Sequence, residues 1–130
     1  VKECDLLICG AGFCTALTGI SEVRTAAREI LSLGPGVVVE TQGERGSITV
    51  TREDEFHTPA YAVDVVDTTG AGDVFHGAYL VGLLKGWEAR RIAQFASAVA
   101  AFKCMRLGGR RGIPCDEEVI SFLANHQPKT

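Results

Sequence analysis

The stretch Val65-Val66-Asp67-Thr68-Thr69-Gly70-Ala71-Gly72-Asp73 has the residue types that phosphate chemistry needs, in the order it needs them. A predicted strand runs into a glycine turn that opens an apolar helix. Gly70 and Gly72 let the main chain approach a ligand closely, and the first N–H groups of a helix, which lack intrahelical partners, combine with the helix dipole into an anion site. A phosphate fits there. Asp73, taken alone, reads first as a helix cap. Beside a bound phosphate it can also accept the proton of an attacking alcohol.

A second glycine turn competes with the first. Leu6-Leu7-Ile8-Cys9-Gly10-Ala11-Gly12 is a strand followed by G-x-G, and Glu40 closes a later strand. This resembles a dinucleotide fingerprint, with pyrophosphate at a helix N-terminus and the carboxylate on ribose hydroxyls. Against it, Thr15 stands where a third glycine belongs, and Gly19-Ile20-Ser21 interrupts the required helix. The Walker pattern G-x-x-x-x-G-K-[ST] does not occur, so a conventional P-loop is excluded.

Lesser candidates read blandly. Thr41-Gln42-Gly43-Glu44-Arg45-Gly46 alone is a two-glycine hairpin turn. His57, His76 and His126 are read as ordinary packed or exposed histidines, although His76, three residues after Asp73, can face the same side of the helix. Trp87 is read as a packing residue. Cys4, Cys9, Cys14, Cys104 and Cys115 are odd in number and contain no C-x-x-C pair, so reduced, buried small hydrophobes are expected rather than a disulfide set or a zinc site.

The elements that position these residues follow from periodicity. Residues 4–9 read as a buried strand, and residues 21–33 as a helix with Ser21 as N-cap. VVVET and SITVT, joined by GERG, read as two strands, with a third short strand near Phe56 completing a meander. Residues 71–85 are apolar almost all round, the pattern of a helix buried inside a domain. Residues 88–107 form an amphipathic helix with Ile92, Phe95, Ala96, Val99 and Phe102 on one face and Arg90, Arg91, Gln94 and Lys103 on others. A last helix follows Pro114, with Asp116, Glu117 and Glu118 in its first turn and Val119, Phe122 and Leu123 buried. The order implies one α/β domain, a layered sheet covered by helices.

The net charge of −3 carries no electrostatic footprint for nucleic acid or anionic membrane, and no apolar run approaches the ~20 residues that span a bilayer. No secretory pattern opens the chain, so a cytoplasmic location is expected.

Residues 67–73 match the D-T-x-G-A-G-D signature of the ribokinase (PfkB) family of carbohydrate kinases, and Thr41 to Gly46 is similar to the family's T-x-G-x-x-G segment. Lys103-Cys104 and Gly108-Gly109-Arg110-Arg111-Gly112-Ile113-Pro114 resemble its closing segment. The resemblance implies a ribokinase-like fold and transfer of the ATP γ-phosphoryl group to a hydroxyl of a sugar-like acceptor. It implies that Gly70, Ala71 and Gly72 form the anion hole and that Asp73 is the catalytic base. Thr41, Gly43, Gly46, Gly108 and Gly109 would line the nucleotide. Mg2+ would come with the phosphates, and Asp67 and Thr69 would help to hold a monovalent cation such as K+. Residues 1–130 would be the C-terminal part of such a kinase, without the N-terminal sugar-binding half and lid, and the first strand would lie at a sheet edge open to homodimerisation. Where the family carries an N-x-x-E type stretch that organises magnesium, this chain reads Gly10-Ala11-Gly12-Phe13. That departure keeps open a non-catalytic ATP-binding domain, alongside the dinucleotide alternative.

Overall fold

The computed structural model describes all 130 residues. Contacts divide them into two compact units, Val1–Thr58 and Pro59–Thr130. The first unit contains β1 (Leu6–Gly10), α1 (Phe13–Thr18), α2 (Val23–Ser32), β2 (Val37–Thr41), a 3-10 turn (Gly43–Arg45), β3 (Ser47–Thr51) and β4 (Glu55–Thr58). Its sheet has the order β1-β2-β3-β4. Strands β1 and β2 are parallel, with Leu6 opposite Val37 and Gly10 opposite Thr41, and the other pairs are antiparallel. The expected meander is present, and β1 lies at an edge. Alternation directs Val38 from β2, and Ile48 and Val50 from β3, to one face, where they pack with Cys9, Cys14, Ala26, Ala27 and Ile30.

Helix α2 begins one residue later than expected. Glu22, not Ser21, is its N-cap, and its carboxylate accepts the N–H groups of Arg24 (2.9 Å) and Thr25 (2.7 Å). A charged acceptor makes stronger bonds to these orphan donors than a serine hydroxyl does. The Thr25 hydroxyl and the two amides hold the Glu22 carboxyl down to about 2.

The second unit contains α3 (Ala71–Leu84), α4 (Ala89–Cys104) and α5 (Asp116–Asn125). Helices α3 and α4 approach so closely that a Cβ on Gly82 would lie 2.8 Å from Ile92 Cγ1. Phe122 of α5 meets Tyr61 and Phe102 edge to face, and Cys115 N–H donates to Glu118 Oε2 at 2.9 Å to cap α5.

Four expectations for this unit are corrected. Val65 and Val66 form no strand; they are exposed, and the Val66 N–H is held by the Cys104 carbonyl at 2.8 Å. Helix α3 is not buried all round, since Leu80, Leu83 and Leu84 are exposed while Val74, Phe75, Ala78 and Tyr79 enter the core. Leu123 is also on the exposed side of α5. Lys103, read as part of a polar face, has no exposed surface at all. In the three helical cases composition gave the polarity of the helix, but the partners available in space decided its burial.

Candidate phosphate and nucleotide site

Gly70 is the N-cap of α3 and has φ 74°, a left-handed conformation that a side chain would strain. No side chain caps this helix end. The Ala71 N–H bonds the Thr68 carbonyl at 3.0 Å, and the i to i−4 ladder starts with Val74 N–H on Gly70 O at 3.0 Å. The first turn of α3 therefore presents main-chain N–H groups and a dipole to whatever lies in front of it. Asp73 is in that turn and is exposed. His76 is turned back along the helix, its Nδ1–H donating to Gly72 O at 2.6 Å.

A cavity of about 600 Å³ opens here. Thr69, Gly70, Asp73, Gly109 and Arg110 make its polar rim, and Val74, Val81, Phe95, Val99 and Ile113 contribute an apolar wall. Gly70 and Gly109 meet across the rim, where a Cβ on Gly70 would touch Gly109 Cα at 3.5 Å. The structure thus brings Gly70, Asp73 and Gly109 together, with Ala71 and Gly72 on the first turn behind them. The apolar wall had no signature in the sequence beyond ordinary helix periodicity.

Asp67 organises the approach to this turn. Its carboxylate accepts the N–H groups of Thr69 and Gly108, both at 2.8 Å, and its carbonyl accepts Lys103 Nζ, also at 2.8 Å. The Thr69 amide, then the Gly108 amide, hold the Asp67 carboxyl down to about 2. Two N–H donors thus converge on the Asp67 carboxylate.

In the first unit, Thr41, Gly43 and Gly46 form a turn of their own. Gly43 (φ 59°) and Gly46 (φ 93°) take left-handed or extended positive conformations, Gln42 N–H bonds Gly46 O at 2.7 Å, and His57 Nε2–H donates to Arg45 O at 2.6 Å.

The rival glycine turn is closed from within. Glu40 is 2% exposed, and its two carboxylate oxygens accept Gly12 N–H (3.1 Å) and Cys14 N–H (3.0 Å) at the start of α1. The carboxylate that a dinucleotide ribose would need is therefore a helix cap. Helix α1 ends at Thr18, with Gly19 as its left-handed C-cap, as the interruption at Gly19 implied. Cys9 and Cys14 are buried beside Glu40 with Sγ atoms 3.7 Å apart. The neighbouring Cys9 and burial push the Cys14 thiol far up, out of the range in which thiolates form.

Residues 6–115 match the family described as pfkB family carbohydrate kinase. The deoxyribokinase of Salmonella typhi is 30% identical over 127 residues, covering 94% of this chain and 42% of the relative. The crystal structure of a ribokinase from Thermotoga maritima superposes with a TM-score of 0.86 at 36% identity, covering 93% of this chain and 42% of that one. A putative ribokinase II from E. coli, in complex with ATP and Mg2+, gives a TM-score of 0.88 at 30% identity, covering 94% of this chain and 40% of that one. The chain belongs to the PfkB carbohydrate kinase family. It has a mixed α/β ribokinase-like fold and spans about 42% of the length of the curated relative quoted above. No helix is long and apolar enough to cross a membrane.

Proposed function

We propose that this chain is the nucleotide-binding and phosphoryl-transfer portion of an ATP-dependent kinase for a sugar or sugar-like alcohol. The observation that carries the reading is the uncapped, left-handed Gly70 turn opening on a cavity whose rim also holds Asp73. In this reading the start of α3, Gly70 to Gly72, receives the transferring phosphoryl group through the Gly70 and Gly72 amides, the Ala71 N–H being held by the Thr68 carbonyl. Gly108 and Gly109 cover its far side, and Arg110 adds a positive charge at the rim. The adenine end of the nucleotide suits the apolar wall of Val81, Phe95 and Val99. ATP and a sugar-like alcohol are the partners.

Asp73 accepts the proton of the attacking hydroxyl. A loose phosphoryl transfer asks mainly for an oriented nucleophile and a late proton acceptor, which an exposed carboxylate in the first turn of α3 can supply. Asp73 and Asp116 are the cavity-lining carboxylates that would help to hold magnesium, whose charge would offset that of the phosphates.

In the full-length enzyme Asp73→Asn should lower turnover by about 10²- to 10⁴-fold while leaving ATP affinity within a few-fold, measured by steady-state kinetics and calorimetry. Unchanged turnover refutes the role. A second reading, nucleotide binding without turnover, is favoured by the lack of any carboxylate in Gly10-Ala11-Gly12-Phe13 and by the burial of nearby Glu40. ATP binding with no phosphorylation of any sugar tested would select it.

A further inference from the structure

Lys103 is the one charged residue of the second unit with no exposed surface. A buried ammonium costs several kcal/mol unless negative groups surround it, so its partners define what it does. Its Nζ donates to the Asp67 carbonyl at 2.8 Å, and its charge favours the ionised Asp67 carboxylate. It also belongs to the last turn of α4, where the helix dipole is negative.

The same helix end grips the Asp67 segment a second time. The Cys104 carbonyl accepts both Val66 N–H (2.8 Å) and Asp67 N–H (3.1 Å). From Asp67 the connections lead directly to the phosphate turn: one carboxylate oxygen holds Thr69 N–H, next to Gly70, and the other holds Gly108 N–H, next to Gly109. Gly112 completes the arrangement, because a Cβ there would lie 2.8 Å from Lys103 O. The chain between the rim residue Arg110 and Pro114 can therefore lie directly on Lys103.

We propose that Lys103 is a tethered monovalent cation. Its ammonium neutralises the negative pocket formed by Asp67 and the α4 C-terminus, and so holds the Gly70 and Gly109 loops in the shape that receives phosphate. Lys103 is a positioning residue, acting through Asp67. A dissolved cation at Asp67 and Thr69 is replaced by a side chain with the same single charge, and the site does not draw on potassium. This rests on the reading of Gly70 to Gly72 as the phosphate cradle.

The test compares wild type, Lys103→Ala and Lys103→Met in potassium, ammonium and choline chloride at equal ionic strength, reading both the unfolding midpoint and the affinity for ATP with magnesium. Wild type should behave alike, within two-fold in affinity, in all three salts. Lys103→Ala should bind ATP at least ten-fold more weakly in choline and recover in potassium or ammonium, with its unfolding midpoint rising in the same two salts. Lys103→Met, whose side chain keeps the pocket filled without a charge, should be impaired and not recover. The proposal is overturned if wild type depends on potassium, if Lys103→Ala is unimpaired, or if it is equally impaired in every salt. Should Lys103→Ala fail to fold, the salt dependence of wild type alone still decides against or for it. If wild type binds no ATP in any salt, the cradle reading fails, and the cation dependence of the Lys103→Ala midpoint still judges the lysine.

Discussion

Two helix starts in this chain are built alike and used differently. Helices α1 and α3 both follow a left-handed glycine, Gly12 at φ 82° and Gly70 at φ 74°, and each cap glycine offers no side chain of its own. At α1 the protein answers its own positive pole, since the Glu40 carboxylate is buried against Gly12 and Cys14. At α3 the pole faces a cavity of about 600 Å³. The difference teaches that a glycine turn before a helix marks an electrostatic demand, and that the residue answering it decides between architecture and binding.

The contrast can be broken or sharpened by experiment. Its largest expected signature is catalytic and belongs to Asp73→Asn, whose turnover loss corresponds to about 3 to 5 kcal/mol of barrier. Stability should respond in the opposite pattern. Glu40→Ala strips a charged acceptor from two amides in the interior and should cost about 3 kcal/mol in urea unfolding. Asp73→Ala, at the open pole, should change stability by less than about 0.5 kcal/mol. Equal losses from the two would show that both poles are structural.

A smaller effect is expected where the open pole is braced from behind. Gly82→Ala places a methyl 2.8 Å from Ile92 Cγ1 and should destabilise by about 1 to 3 kcal/mol, read as a lower thermal midpoint with little change in ATP affinity.

The smallest effect concerns Asp67, with its carboxyl held near 2 against an ordinary 3.8. A depressed carboxyl stabilises the fold above its unfolded value and loses that contribution as pH falls through its folded one. Wild type should therefore lose stability more steeply than Asp67→Asn between about pH 4 and pH 2, and parallel acid curves would remove Asp67 from the account.

Much of this was legible in the sequence. The seven residues from Asp67 to Asp73 announced the glycine turn that opens α3, because glycine, acid and helix start follow one another along the chain. VVVET, SITVT and the strand near Phe56 appeared as expected, since runs of β-branched residues bounded by glycine turns are a local signal. What escaped was answered from a distance. Glu40 caps a helix 26 to 28 residues upstream, and Lys103 reaches a backbone carbonyl 36 residues away, a partner that carries no side-chain identity to read. Ser21 lost its place to Glu22 for a nearer reason, since glutamate is a less frequent cap than serine.

The second unit also has its two ends side by side. Tyr61 bridges Pro128, and Lys129 N–H bonds Ala60 O at 2.7 Å. Its connectivity is thus nearly circular, and a short splice from residue 130 to residue 59 would leave the ring intact while new termini opened at the exposed Gly86 turn. Such a permuted chain would keep every bond around Asp67, because none of them depends on where translation starts.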